Sequence, residues 1–191
     1  REAWRLPLRR RDPVLRQIFQ DKRFRIAMSH AINREDIRKL IYLGQPKEIR
    51  QTAPKRESPF YHEGAAQSFV KYDVARANAL LDEMGLTKRG NDNIRLLPDG
   101  QPMIVIVDTA GESTEETDVL QLVRDSWKKI GVDMFTKPSE LEVFRNRIFA
   151  GDSIMSVWTG MDNGFPSADM SPWEFTPTSQ QQLQWAKWGQ F

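Results

Sequence analysis

The 191-residue chain contains no cysteine. Disulfides, thiolate nucleophiles, iron–sulfur clusters and cysteine-ligated zinc are therefore excluded. The compartment stays open, because many exported proteins also lack cysteine. Histidine is scarce, with only His30 and His62. Two dispersed imidazoles leave little for a metal site or a histidine-based triad, and no cofactor is expected. Long apolar runs are missing too. No stretch reaches the roughly 20 residues needed to span a bilayer. The opening REAWRLPLRRR has no apolar h-region, so the reading expects no signal peptide within the chain. Net charge is nearly absent, with 28 Lys and Arg against 26 Asp and Glu. The chain as a whole is not a polycation built for nucleic acid.

What is present describes a folded domain. Apolar residues make up 39% and charged residues 28%, which excludes a mostly disordered chain. The length suits one domain. Charge is unevenly spread. Residues 1–50 hold 14 Lys and Arg against 6 Asp and Glu, and the rest of the chain carries the balancing acids. That basic quarter is either a solvated surface or a face for an acidic partner or nucleic acid.

Apolar spacing predicts a helical segment over 1–50. Val14, Leu15, Ile18 and Phe19 share a stripe after Pro13. Phe24, Ala27, Met28 and Ala31 repeat it. Asn33 reads as an N-cap with Asp36 in the first turn, and Ile37, Leu40 and Ile41 as the next stripe, stopped by Gly44. Residues 45–72 read as a long surface loop, with Pro46, Pro54 and Pro59, pinned by Phe60, Tyr61, Phe69 and Tyr72. Asp73 caps a helix whose inner stripe is Ala77, Leu80, Leu81 and Met84, and Gly85 ends it.

An α/β core is predicted over 103–158. Met103–Val107 is an apolar, β-branched run expected to be buried on both faces. Ser113 and Glu116 have capping-box spacing before a helix with Val119, Leu122, Val123, Trp127 and Ile130 inward. Val132–Thr136 follows as a second, parallel strand. Ser139 and Glu142 repeat the box before a helix with Leu141, Val143, Phe144 and Ile148 inward. Ser153–Trp158 is the third strand. Residues 159–191 form a loop and a truncated tail.

Candidate chemistry is thin. His30 reads as structural and His62 as exposed. The Gly111 loop follows a strand and precedes a helix, but lacks a phosphate-binding fingerprint. Residues 24–43 allow a helix-turn-helix with Arg34, Arg38 and Lys39 toward phosphates, or merely a solvated stripe. Asp162 with Asp169 would be the carboxylates of a hydrolase. The informative cluster is Trp158, Asp162, Asn163, Phe165 and Trp173, beyond a strand's carboxyl end, where α/β sheets place ligands. Aromatic faces with an acid and an amide suit binding without catalysis. Trp158 could equally finish the core.

Three segments carry a resemblance. FRIAMSHAINREDIRKLIYLGQ (24–45), YDVARANALLDEMGL (72–86) and LLPDGQPMIVIVDT (96–109) resemble, in order and spacing, the extracellular solute-binding proteins of family 5, the peptide/nickel type. SPWEFTPTSQ and WAKWGQF resemble a subgroup of large members. The resemblance implies one lobe of a type II periplasmic binding protein-like fold, with the chain a single partial domain lacking its second lobe. It implies a non-catalytic receptor of an ABC importer. A small peptide or oligosaccharide would be captured between two lobes and passed to a membrane permease. It also implies a periplasmic or extracytoplasmic location, with any lipid anchor elsewhere in the full-length protein, and no nucleic-acid partner. Many peptide-binding members carry an Asp three residues after a Trp to hold the peptide amino terminus. Here Met161 occupies that position after Trp158, and Asp162 follows one residue later.

Overall fold

The computed structural model describes residues 13–111, 113–158, 183 and 186. Three short helices open it: α1 (Pro13–Gln20), α2 (Lys22–His30) and α3 (Arg34–Leu40). Asp21 caps α2 by accepting from the Arg23 N–H, and Asn33 caps α3 by accepting from the Asp36 N–H. Leu15, Ile18, Phe19, Phe24, Ala27 and Met28 are buried as the periodicity predicts. Leu40 is not: it points to solvent, while Ile37 and Ile41 rest on the core. The stripe on a seven-residue helix is too narrow to bury all three.

Segment 45–72 is irregular except for α4 (Glu63–Ala66), a single turn absent from the sequence reading. His62 caps it, its Nδ1 accepting from the Ala65 N–H at 3.2 Å. The expected aromatic anchors act in part: Phe60 is exposed, while Phe69 meets the His30 ring edge-on at 6.0 Å and Tyr72 is half-buried beside Lys129. Arg34 is a further anchor. It donates to the Ser29 carbonyl at 2.7 Å and to Gln51 Oε1 at 3.2 Å, and burial pulls its guanidinium down to about 10.

Asp73 caps α5 (Val74–Glu83), which packs across α2 through fully buried Ala27, Ala77 and Leu81. Small residues let the two backbones approach. Residues 87–102 hold two antiparallel bridges, Arg89 to Arg95 and Leu96 to Pro102, the second closing a turn with Gly100 at positive φ. Then β1 (Ile104–Thr109), α6 (Thr114–Lys128), β2 (Asp133–Pro138), α7 (Leu141–Ala150) and β3 (Met155–Ser156) build a parallel sheet in the order β2-β1-β3. Ile104 pairs with Asp133 and Val107 with Met155. The fold class is thus α/β, as expected.

The register sorts the side chains. Val105, Val107 and Met134 enter the main core against α6. Ile106 and its neighbour Phe135 lie on the other face and are 38% and 45% exposed, so β1 is not buried on both sides. On α6 it is Leu120, rather than Leu122, that is fully buried. On α7, Phe144 and Ile148 are buried while Val143 is exposed. Ser139 does not cap α7; Glu140 holds that position without a side-chain bond.

One buried guanidinium joins these parts. Arg95 is 1% exposed. It donates to Ile130 O at 2.7 Å, Asn78 Oδ1 at 2.7 Å, Asp82 Oδ1 at 2.5 Å and Leu86 O. Its backbone accepts from the Met103 N–H and donates to Gly131 O. Gly131 is at φ +79, and a Cβ there would lie 2.8 Å from Arg95 Cγ. No residue but glycine fits.

Arg95→Met should lower unfolding stability in urea by about 3 kcal/mol or more, because several buried acceptors lose their donor. Asp82→Asn should cost less than about 1 kcal/mol, since Asp82 is 52% exposed and the bond survives with a neutral acceptor. Equal losses would refute the ranking.

Candidate functional site

Parallel strands send their connections out at one edge, so the loops after β1 and β2 meet at the carboxyl end of the sheet. Between them lies a crevice of about 370 Å³, lined by Ala110, Gly111, Pro138, Ser139, Glu140 and Leu141. Gly111 makes the close approach possible. Its φ is +70, and a Cβ would sit 3.1 Å from Pro138 Cβ. The Ser139 N–H donates to Thr109 O at 3.1 Å, which locks the second loop onto the first strand.

Two polar groups around these loops are unspent. Ser139 Oγ, released from the capping role the spacing suggested, is buried without a hydrogen-bond partner among the described residues. So is Glu116 Oε1, in the first turn of α6. The Glu116 N–H donates to Ser113 Oγ at 3.2 Å, so the backbone half of the predicted capping box forms. Burial pushes the Glu116 carboxyl above its ordinary value. A hydroxyl and a readily protonated carboxyl can each donate or accept, which suits a neutral polar ligand group. Neither was among the residues expected from the sequence. The only signal was their position just past a strand.

Trp158 follows β3 directly. Its ring is half-buried and stacks on Phe144 of α7, with centroids 5.6 Å apart and planes 25° from parallel. Both belong to a small apolar cluster with Ala110, Ile148, Leu183 and Ala186, separate from the main core. Trp158 therefore packs, while keeping part of its surface accessible. Beneath it, Asp108 of β1 is 1% exposed and accepts from Arg147 Nε at 3.0 Å. An acid closing an otherwise apolar strand was its sequence signal. Asp162, Asn163, Phe165 and Trp173, and Asp169 of the hydrolase alternative, lie outside the described residues.

Other candidates are occupied. A depression of about 500 Å³ beside α3 is walled by Glu35, Arg38, Lys47 and Glu48. Three of these four charges already pair: Arg38 meets Glu35 at 2.6 Å, and Glu48 meets Arg56 at 3.0 Å. The hydrogen bond from Arg38 holds the Glu35 carboxyl down at about 2. Arg34, Arg38 and Lys39, the cations of the helix-turn-helix alternative, all have acceptors within the chain. His30 is tied through Nδ1 to Lys71 O at 2.8 Å, the ring N–H donating. Among the described residues, no three His, Asp or Glu side chains cluster as metal ligands.

The Glu116 carboxyl makes a pH-dependent difference. Its folded-state value lies above its unfolded one, so both states are neutral at low pH. As pH rises past about 4.5, the unfolded chain ionises first and the folded state loses relative stability. Glu116→Gln, which mimics the neutral acid, should therefore gain stability over the natural chain as pH rises from 4 toward 7. Parallel pH–stability curves for the two proteins would overturn this.

Comparison with known proteins meets this geometry. Residues 4–182 match bacterial extracellular solute-binding proteins, family 5 Middle. The dipeptide-binding protein of Escherichia coli (strain K12) is 24% identical over 177 residues, covering 92% of this chain and 31% of that protein. The solved structure of an oligopeptide-binding protein, OppA, is 38% identical with a TM-score of 0.77, over 82% of this chain and 24% of its own. The periplasmic binding protein MelB of Agrobacterium fabrum C58, solved with stachyose, is 14% identical with a TM-score of 0.74, over 98% of this chain and 29% of its own. The chain thus spans about a quarter to a third of the length of these relatives, and its fold is that of part of a type II periplasmic binding protein. With the match running nearly end to end, the chain belongs to the bacterial extracellular solute-binding proteins, family 5.

Proposed function

We propose that this chain forms part of one lobe of a two-lobed, non-catalytic receptor that captures a small peptide outside the cytoplasm and delivers it to an ABC permease. The observation that carries the reading is the crevice at the carboxyl edge of the parallel sheet, in a chain 38% identical to an oligopeptide-binding protein. Ser139 lines the crevice, Glu116 stands in the first turn of the helix that follows its first loop, and Trp158 adds an aromatic surface through its cluster with Ala110. Asp162, Asn163, Phe165 and Trp173 follow Trp158 in the chain and are proposed as further contacts. Directional hydrogen bonds plus aromatic packing give affinity without any nucleophile–base pair.

Capture between lobes works as a population shift. A ligand that touches both lobes binds the closed form better than the open one and draws the equilibrium toward it. The closed form then presents both lobes to the permease. A single lobe supplies half of the contacts, so this chain alone should bind far more weakly than the intact receptor. The second lobe, the permease and any lipid anchor are parts of the proposal. An oligosaccharide is the second reading, favoured by the likeness to the stachyose-bound relative.

Native mass spectrometry of the intact receptor, purified from its host without refolding, tests this. A releasable mass that fragments as a peptide supports the proposal, and one that fragments as a saccharide moves it to the second reading. A clean mass, followed by no thermal shift with peptide or saccharide panels, overturns it. With a ligand in hand, Trp158→Ala in the intact receptor should weaken binding about tenfold or more.

A further inference from the structure

We infer that Asp108 and Arg147 are positioning residues that set the plane of the Trp158 ring. The contacts form a closed circuit. Asp108 Oδ1 accepts from Arg147 Nε at 3.0 Å, tying β1 to α7. Three residues before Arg147, and hence on the same side of α7, Phe144 is fully buried and lies against Trp158. The chain returns from Trp158 to Asp108 through its neighbour, whose Val157 N–H donates to Asp108 O at 3.2 Å. Asp108 thus holds Trp158 twice: through the backbone from one side, and through Arg147 and Phe144 from the other.

Two facts give this circuit authority over the ring. First, among the described residues α7 lies outside the main core. Its N-terminus has no side-chain cap, and its apolar residues join the small cluster rather than the main core. A directional ion pair is then what fixes its rotation, because apolar contact alone is non-directional. Second, the pair is costly to keep. Asp108 is 1% exposed and its Oδ2 has no partner among the described residues, so an apolar pair would satisfy the site with less penalty. The orientation it imposes is its return. The consequence for binding rests on the reading of Trp158 as a ligand contact; the positioning itself does not.

Fluorine NMR of the chain labelled with 5-fluorotryptophan tests it. Trp158→Phe and Trp127→Phe identify the two relevant lines. Trp127, whose Nε1 donates to Met28 O in the main core, is the internal control. Arg147→Met should shift and broaden the Trp158 line and leave the Trp127 line in place. Arg147→Lys should restore a sharp line, since a cation is kept. Phe144→Leu should also move the Trp158 line, and the double variant should move it no further, because both act along one path. An unmoved Trp158 line in Arg147→Met overturns the inference. Equal movement of the Trp127 line overturns it as well, by showing general loosening. Ligand titration of the intact receptor separates the two readings. A moved Trp158 line with unchanged affinity upholds the positioning and removes Trp158 from the ligand site; about tenfold weaker binding upholds both.

Discussion

The guanidinium of Arg95 is the point on which the rest of the structure depends. It sits where α5, the turn after it, the end of α6 and the approach to β1 converge, and it donates to each of the first three. An apolar side chain would fill that space but would not dictate angle or register. Five N–H groups in a rigid fork do. The Met103 N–H bonds to Arg95 O and the Asp133 N–H to Met103 O, so β1 and β2 enter the sheet already aligned. Gly131 is the cost in backbone freedom, because the arginine stem occupies the space of a Cβ there.

From that alignment the site follows. Two parallel strands in register deliver two loops to the same edge, and a glycine at the first loop lets the second pack within van der Waals reach. The crevice is therefore a product of strand direction. Its polar groups are unspent because α7 starts one residue later than capping chemistry would suggest, which frees Ser139 from the helix. The main core and the Trp158 cluster are separate bodies of apolar contact. One ion pair, Asp108 with Arg147, bridges them.

Much of the frame was legible. Asn33, Asp73 and Ser113 cap the helices that their oxygens announced, and Gly85 and Gly131 follow helix ends at positive φ. These are local effects, decided within four residues. The misreadings share one cause, which is that burial is decided by what lies opposite. Ile106 has the same β-branched character as Val105 and Val107, yet nothing among the described residues buries it. Leu120 and Leu122 are chemically the same, and only the sheet beneath α6 selects between them. Phe60 was expected to anchor a loop that Arg34 anchors instead. Of the expected site residues, Trp158 alone falls among those described. Ser139 and Glu116 read in the sequence only as helix-capping residues, and Asp108 forms no motif of its own.

The sequence by itself determined the caps at Asn33, Asp73 and Ser113, the β-α-β order and the family, because each is written in local spacing and in the order of short segments. It also excluded thiol chemistry and offered no nucleophile–base pair. Only the tertiary structure decided which faces are buried and which loops meet. Only there does Ser139, on the loop after β2, come to line one crevice with Ala110 and Gly111 of the loop after β1. Hydrogen-bond satisfaction is a property of a site in space, and a one-dimensional pattern does not record which buried group is left unpaired.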